Sequence, residues 1–449
     1  MKKIISVVCL VIAVCFVLSS CDSIDVIRPV SALLSPPLYY EEYEELVEAF
    51  NTSVGKGALL CSPRKGNHKS AIIVDDIDSD GETEALVFYK SSTAETVVRM
   101  HYFNVSSGKW VSNGDFNGYG NEVESVVVED MDGDGFKELI VNWSISGVTA
   151  SNVMSIYRAT YMTGKFKEIS NETCILCEVV DIDSDSRKEI FYISQSNPSG
   201  VIQKTAKVMK LSGDSVVHMG ETKIDPNIST YKSFKTEKAS GESPLKIYID
   251  AFKGENNMIT ELIYWDKAKN ELVAPLIDSE TLENNATLRF EPILSADINN
   301  DGVIDIPVQS DLFGGGDDIS TIDVENVYLT RWCNFESASE SETVANTLIN
   351  YSDGYMIYLD RDELSKIGIR NYRSQSCWVV YESKNSGESG EEIFSVMKVS
   401  AERWNEKNFD AYIPIVVKND STVCVYITPG GRDQGIDDEF ILSKVTKLP

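Results

Sequence analysis

The chain has 449 residues, 41 of them basic and 70 acidic, for a formal charge of −29. That length admits two to four domains at roughly 100–200 residues each, and the acid excess excludes nucleic acid as the main partner, because phosphate binding needs clustered Lys and Arg. With 42% hydrophobic residues and only nine Cys, the chain can build a sizeable core, and both wholesale disorder and a disulfide scaffold are excluded.

Lys2 and Lys3 precede a continuous apolar run from Ile4 to Leu18. This is the charged and apolar sequence of a signal peptide, too short for a comfortable membrane span. The run ends in Leu18, Ser19, Ser20 and Cys21. It resembles the bacterial lipobox, in which small residues precede a cysteine that is diacylated and becomes the first mature residue. The resemblance implies a lipoprotein signal peptide over 1–20, lipidation of Cys21 and a place on the extracytoplasmic face of the cell membrane, with the bilayer as partner. The alternative is an ordinary signal peptide with a chance cysteine. In a cell with two membranes, Asp22 after the lipidated cysteine favours the inner one. Residues 21–38, with Pro29, Pro36 and Pro37, read as a tether. Within 39–59, Tyr43, Leu46, Val47 and Phe50 recur at i, i+3, i+4 and i+7, which predicts one amphipathic helix packed on the fold that follows.

An internal repeat organises 60–350. Asp76, Asp78, Asp80, Gly81 and Glu84 recur as Asp130, Asp132, Asp134, Gly135 and Glu138, then as Asp181, Asp183, Asp185, Ser186 and Glu189. A fourth copy is Asp297, Asn299, Asp301, Gly302 and Asp305. The starts are 54, 51 and 116 residues apart, so the last gap holds about two periods, and a degenerate copy is expected from Ile249 and Asp250 to Glu261. A β-rich run enters each of the first three loops (Ile72–Val74, Val126–Val128, Val179–Val180) and another leaves it (Ala85–Phe88, Leu139–Val141, Ile190–Ile193). Hairpins follow around Ser107–Gly108, Thr163–Gly164, Ser212–Gly213 and Asp266–Asn270. Each unit thus reads as four short strands in about 50 residues. Such a sheet is apolar on both faces and cannot bury them alone; stacking several radially solves this, which predicts a β-propeller of about five four-stranded blades. A β-solenoid or separate sandwiches are the alternatives.

In a loop of this pattern, carboxylates at positions 1, 3 and 5 converge, Gly at position 6 permits a sharp turn, and position 9 closes the cage; the fourth copy has Asn299 at position 3 and the third Ser186 at position 6. Oxygen-only donors at this density suit Ca²⁺ rather than Zn²⁺. An EF-hand would close at position 12, where this chain has Val87, Val141, Tyr192 and Val308. The nine-residue form between two strands instead resembles the FG-GAP/VCBS repeats of integrin-alpha-like propellers. The resemblance covers about 60–350 and implies ligation by the side chains at positions 1, 3, 5 and 9. It also implies ligation by the backbone carbonyl at position 7: Glu82, Phe136, Arg187 and Val303. Loop three, with Ser186 for Gly and Arg187 beside it, is expected to be the weakest. Sites of the extracellular type bind with Kd around 10⁻⁴–10⁻³ M, so each adds on the order of 1–1.5 kcal/mol at millimolar calcium.

Beyond 350 the repeat is lost. Residues 336–342 read as a polar loop and 383–392 as a connector. Leu364–Ile369 reads as part of a helix, and Cys377–Tyr381, Ile393–Met397, Ile413–Val417 and Val423–Ile427 as strands, giving a small α+β domain over 351–449. The chain has three His and none of the HExxH, GxSxG, Walker A or GxGxxG motifs. Cys174 and Cys177 form the one CxxC; in one strand their sulfurs would face opposite sides, and buried thiols or a structural disulfide are expected rather than zinc or redox chemistry. The expected function is a non-enzymatic, lipid-anchored, calcium-stabilised module that binds a protein or glycan in adhesion or envelope assembly. The alternative is a surface polysaccharide hydrolase or lyase.

Overall fold

In the computed structural model the described residues are 43–145, 152–160, 165–237, 243–312, 324–325, 327–383, 389–406 and 409–449. Residues 1–42, and with them the leader, Cys21 and the tether, lie outside them, as does the expected turn at Thr163–Gly164. The fold is mainly β. After a helix over Glu44–Val54, the strands form six antiparallel sheets. The first contains β1 (Leu59–Leu60), β2 (Ile72–Asp75), β3 (Glu84–Lys90), β4 (Arg99–Ser106) and β5 (Lys109–Asn117). The second is β6 (Glu122–Glu129), β7 (Glu138–Ser144), β8 (Asn152–Thr160) and β9 (Lys165–Cys174). The third is β10 (Leu176–Val180), β11 (Glu189–Ser196), β12 (Gln203–Ser212) and β13 (Ser215–Ile224), and the fourth is β14 (Ile228–Glu237), β15 (Lys246–Lys253), β16 (Asn257–Asp266) and β17 (Glu271–Val273). In the second, third and fourth sheets the strands pair in chain order.

Side-chain alternation along the second strand of each unit explains why these sheets stack. In β3, Leu86 and Phe88 point toward the second sheet, while Ala85, Val87 and Tyr89 point the other way onto Leu46 and Phe50 of the helix. In β7, Leu139, Val141 and Trp143 share the core with the first sheet and Ile140 the core with the third. In β11, Ile190 and Tyr192 face back and Phe191 and Ile193 face forward into the fourth sheet. Strands buried on both faces lose the usual apolar–polar alternation, and β7 is buried at all of its residues. The helix covers the face of the first sheet that has no preceding sheet. Among the described residues, six of the seven core clusters join neighbouring layers, the seventh packs Ile293 and Ile298 onto the fifth sheet, and none joins the sixth sheet to the first.

The fifth sheet holds β18 (Ile306–Leu312), β20 (Tyr328–Ser337), β21 (Glu340–Asn350), β22 (Tyr355–Leu359) and β28 (Val445–Lys447). It runs across position 350 without a break. The sixth holds β19 (Val324–Glu325), β23 (Ile367–Tyr372), β24 (Cys377–Ser383), β25 (Ser389–Ser400), β26 (Tyr412–Val417) and β27 (Ser421–Ile427). Three short helices accompany it at Ala401–Glu406, Pro429–Asp433 and Asp438–Lys444. The four strands expected near the C-terminus are present. The helix expected at Leu364–Ile369 is not: Ile367–Tyr372 pairs with β24, whose free edge supplies the partners a lone helical turn lacks. Residues 336–342 form the tight turn and flanking strands of a hairpin, and 389–392 belong to β25.

The two cysteines of the CxxC do not face opposite sides. The chain leaves one sheet and enters the next between Cys174 and Cys177, so both thiols enter the same core. Both are free thiols, and burial pushes both upward in pKa, Cys174 to about 12. Among the described residues, no helix is long and apolar enough to cross a membrane.

Phe88 is fully buried and its ring meets that of Trp143 edge-on at 5.9 Å between centroids. Phe88→Ala is therefore expected to destabilise the chain by roughly 3–5 kcal/mol in denaturant unfolding. Val111→Ala, at a side chain 47% exposed, should change stability by no more than about 0.5 kcal/mol. Equal effects would contradict the stacked-sheet core.

Candidate metal centres

The acidic loops join the first and second strands at one place in successive sheets: β2 to β3, β6 to β7 and β10 to β11. The fourth lies between Ala296 and β18, where an isolated bridge pairs Ala296 with Asp305. Three hydrogen bonds recur in all four. Position 1 accepts the amide of position 6: Gly81 to Asp76 at 3.2 Å, Gly135 to Asp130 at 2.9 Å, Ser186 to Asp181 at 3.0 Å and Gly302 to Asp297 at 2.9 Å. Position 5 accepts the amide of position 7: Glu82 to Asp80, Phe136 to Asp134, Arg187 to Asp185 and Val303 to Asp301, at 2.8–3.0 Å. Position 9 accepts the amide of position 2: Ile77 to Glu84 at 2.8 Å, Met131 to Glu138 at 3.0 Å, Ile182 to Glu189 at 3.0 Å and Ile298 to Asp305 at 3.1 Å. Position 2 is always apolar and buried, so its side chain plugs the loop into the core while its amide holds the closing carboxylate.

The chain reverses through two left-handed residues per loop. Position 6 has φ of 91°, 95° and 88° at Gly81, Gly135 and Gly302, and 74° at Ser186. Position 4 has φ of 57°, 75°, 56° and 59° at Ser79, Gly133, Ser184 and Asn300. A side chain in this region costs roughly 1–2 kcal/mol, so loop three carries strain at both places.

This geometry gathers positions 1, 3 and 9. In the triads Asp76, Asp78 and Glu84; Asp130, Asp132 and Glu138; and Asp181, Asp183 and Glu189, one oxygen from each residue lies within 4.8 Å of the others. In the fourth loop the equivalent residues are Asp297, Asn299 and Asp305. Position 5, expected as a ligand, is outside these triads; its carboxylate turns back onto the amide of position 7. Burial pushes the closing carboxyls up, Glu84 and Glu138 to about 7, Glu189 to about 8 and Asp305 to about 6. Burial, and then the neighbouring Asp80 or Asp185, also raises Asp78 and Asp183. Asp132 goes the other way: burial would raise it, but the Gly213 amide and the Arg158 guanidinium outweigh burial.

Several buried oxygens here have no hydrogen-bond partner: Oδ1 of Asp76, Asp78 and Asp305, and Oε1 of Glu138. Buried acceptors left without a partner are costly. An all-oxygen set of this kind fits a hard divalent cation of flexible coordination such as Ca²⁺. Successive loops lie side by side: Lys137 in loop two donates to Asp75 at 2.7 Å, and Lys188 in loop three donates to Glu129 at 2.7 Å.

The degenerate copy expected from Ile249 to Glu261 is not a loop. Those residues lie in β15, β16 and the turn between them. Asp250 is fully buried and paired with the fully buried Arg289 at 2.8 Å. The connection equivalent to the acidic loops joins β14 to β15, partly outside the described residues.

No family model matches the chain, and no curated protein matches it. Among solved structures, the rhamnogalacturonan lyase PL11 of Bacillus licheniformis aligns with 74% of this chain and 71% of its own, at 10% identity and a TM-score of 0.28. The rhamnogalacturonan lyase YesW aligns with 74% of this chain and 73% of its own, at 10% identity and a TM-score of 0.26. Overlaps this partial transfer neither fold nor activity. The expectation that the chain is not an enzyme is nonetheless withdrawn, because both of these aligned structures are enzymes by title.

The closing carboxyls titrate higher in the folded chain than the ordinary value near 4.3. Without metal, the stability they confer is full below that value and is lost as pH rises through about 6–8. In chelator, the Tm is therefore expected to fall between pH 5 and pH 8, and saturating calcium should abolish the fall. A chelated Tm that is flat across that range would contradict the crowded-carboxylate description.

Proposed function

We propose that this is a calcium-stabilised protein of the bacterial cell envelope, lipidated at Cys21 and presenting a row of propeller-type blades as a binding platform for a protein or glycan. The observation that carries the reading is the recurrence of one carboxylate triad at one place in three successive sheets. In this reading Ca²⁺ supplies the positive charge on which neighbouring loops are held, and its ligands come from positions 1, 3, 5 and 9, with the carbonyl of position 7. Position 5 reaches the ion through the carboxylate oxygen not engaged by the backbone. The FG-GAP/VCBS pattern and the lipobox-like leader agree with this assignment: both point to calcium-rich surroundings outside the cytoplasm.

The test is the metal content and mass of the full chain isolated from bacterial membranes. Bound calcium without zinc, a diacylglyceryl mass increment on Cys21, and release into the soluble fraction with loss of that increment in Cys21→Ala are expected. A metal-free chain would refute the calcium assignment, and an unmodified Cys21 would refute the anchor.

A further inference from the structure

The four loops are alike in sequence but not in what faces them. Each closing carboxylate stands at the head of a strand, and the register names its opposite. Glu138 pairs with Arg158. Ala85 pairs with Phe103, so Glu84 faces Asn104; Ile190 pairs with Met209, so Glu189 faces Lys210; and Ile306 pairs with Cys333, so Asp305 faces Asn334. Loops one and four thus face a neutral amide, and loops two and three face a cation.

The hydrogen-bonding state of the buried oxygens divides the loops the same way. Oδ1 of Asn104 and Oδ1 of Asn334 are both buried without a partner, as are Oδ1 of Asp76 and Asp78 in loop one and Oδ1 of Asp305 in loop four. Asp305 is fully buried. Loop two has one such atom, Glu138 Oε1, which lies 3.5 Å from Arg158 Nη1. Loop three has none among the described residues. Arg158, 7% exposed, also donates to Asp132 at 3.0 Å and to Asp134, and the Gly213 amide takes the same Asp132 oxygen at 2.7 Å. The carboxylates of loop two are therefore already spanned by a guanidinium.

We propose that loops one and four are the full calcium sites, each completed from the opposing strand by the amide oxygen of Asn104 or Asn334, and that Arg158 is the built-in cation of loop two. Ca²⁺ takes six to eight oxygens, and a neutral amide adds one without adding charge. A guanidinium at the same place occupies the lone pairs that the ion needs and repels it. Loop three, facing Lys210 and strained at Ser186, ranks below loops one and four. The inference rests on the calcium reading above.

The experiment is calorimetric titration of the full chain in detergent with CaCl₂ after chelation. The wild type is expected to bind two equivalents in its tighter class. Asn104→Ala and Asn334→Ala should each weaken one equivalent by at least about tenfold, the scale of loss when a metal-site partner is removed. Arg158→Asn, which gives loop two the residue found opposite loops one and four, should gain a third equivalent. Four equal equivalents in the wild type, unchanged isotherms in both asparagine variants, or a folded Arg158→Asn chain with no added equivalent would each overturn the proposal. If Arg158→Asn does not fold, the two asparagine variants decide it. A wild type that binds no calcium defeats the calcium reading itself, whereas four equal sites defeat only this refinement.

Discussion

The structure depends on a carboxylate buried at the head of a strand that is itself buried on both faces. Glu84, Glu138, Glu189 and Asp305 are each at most 2% exposed, and each holds the amide of an apolar residue seven positions earlier. Stacking creates this situation. A middle strand with a sheet on either side has no solvent face, so a charge at its end needs a partner from the protein or from an ion. The acidic loop gathers further carboxylates around that end, which raises the demand for positive charge.

Two answers to that demand are built into one fold. In loop two the chain supplies the charge as Arg158. In sheet four it removes the loop pattern and places Asp250 against Arg289, with both side chains fully buried. In loops one and four buried oxygens remain unpaired and suit a divalent ion. A mean charge of one sign across the molecule therefore hides local differences: neighbouring repeats with almost the same nine residues differ in whether a cation is already present.

Much of this was legible in the chain. The spacing of Asp76, Asp130 and Asp181 marked the units, the β-rich runs on either side marked the first two strands of each, and the i, i+3, i+4, i+7 pattern from Tyr43 marked the helix. That the apolar residue at position 2 (Ile77, Met131, Ile182 and Ile298) plugs each loop into the core shows only in the packing. What the sequence did not disclose was set by pairing across strands. Asn104 and Arg158 both lie 20 residues after their closing carboxylate, Lys210 lies 21 after and Asn334 lies 29 after, a regularity that means nothing until the register is known. Nor does spacing show that position 5, which matches positions 1 and 3 in sequence, gives one carboxylate oxygen to the amide of position 7, as a short side chain at a turn does. The helix expected at Leu364–Ile369 failed for a similar reason: a neighbouring strand edge outweighs local propensity.

The central claim, that divalent ions hold these loops and through them the stacked sheets, is tested most directly by thermal unfolding of the full chain at constant pH with millimolar calcium and with excess chelator. Two or more sites of about 1–1.5 kcal/mol each should raise the Tm in calcium by several degrees over the chelated chain, given about 2–4 °C per kcal/mol for units of 150–250 residues. The same Tm in both conditions would contradict the account.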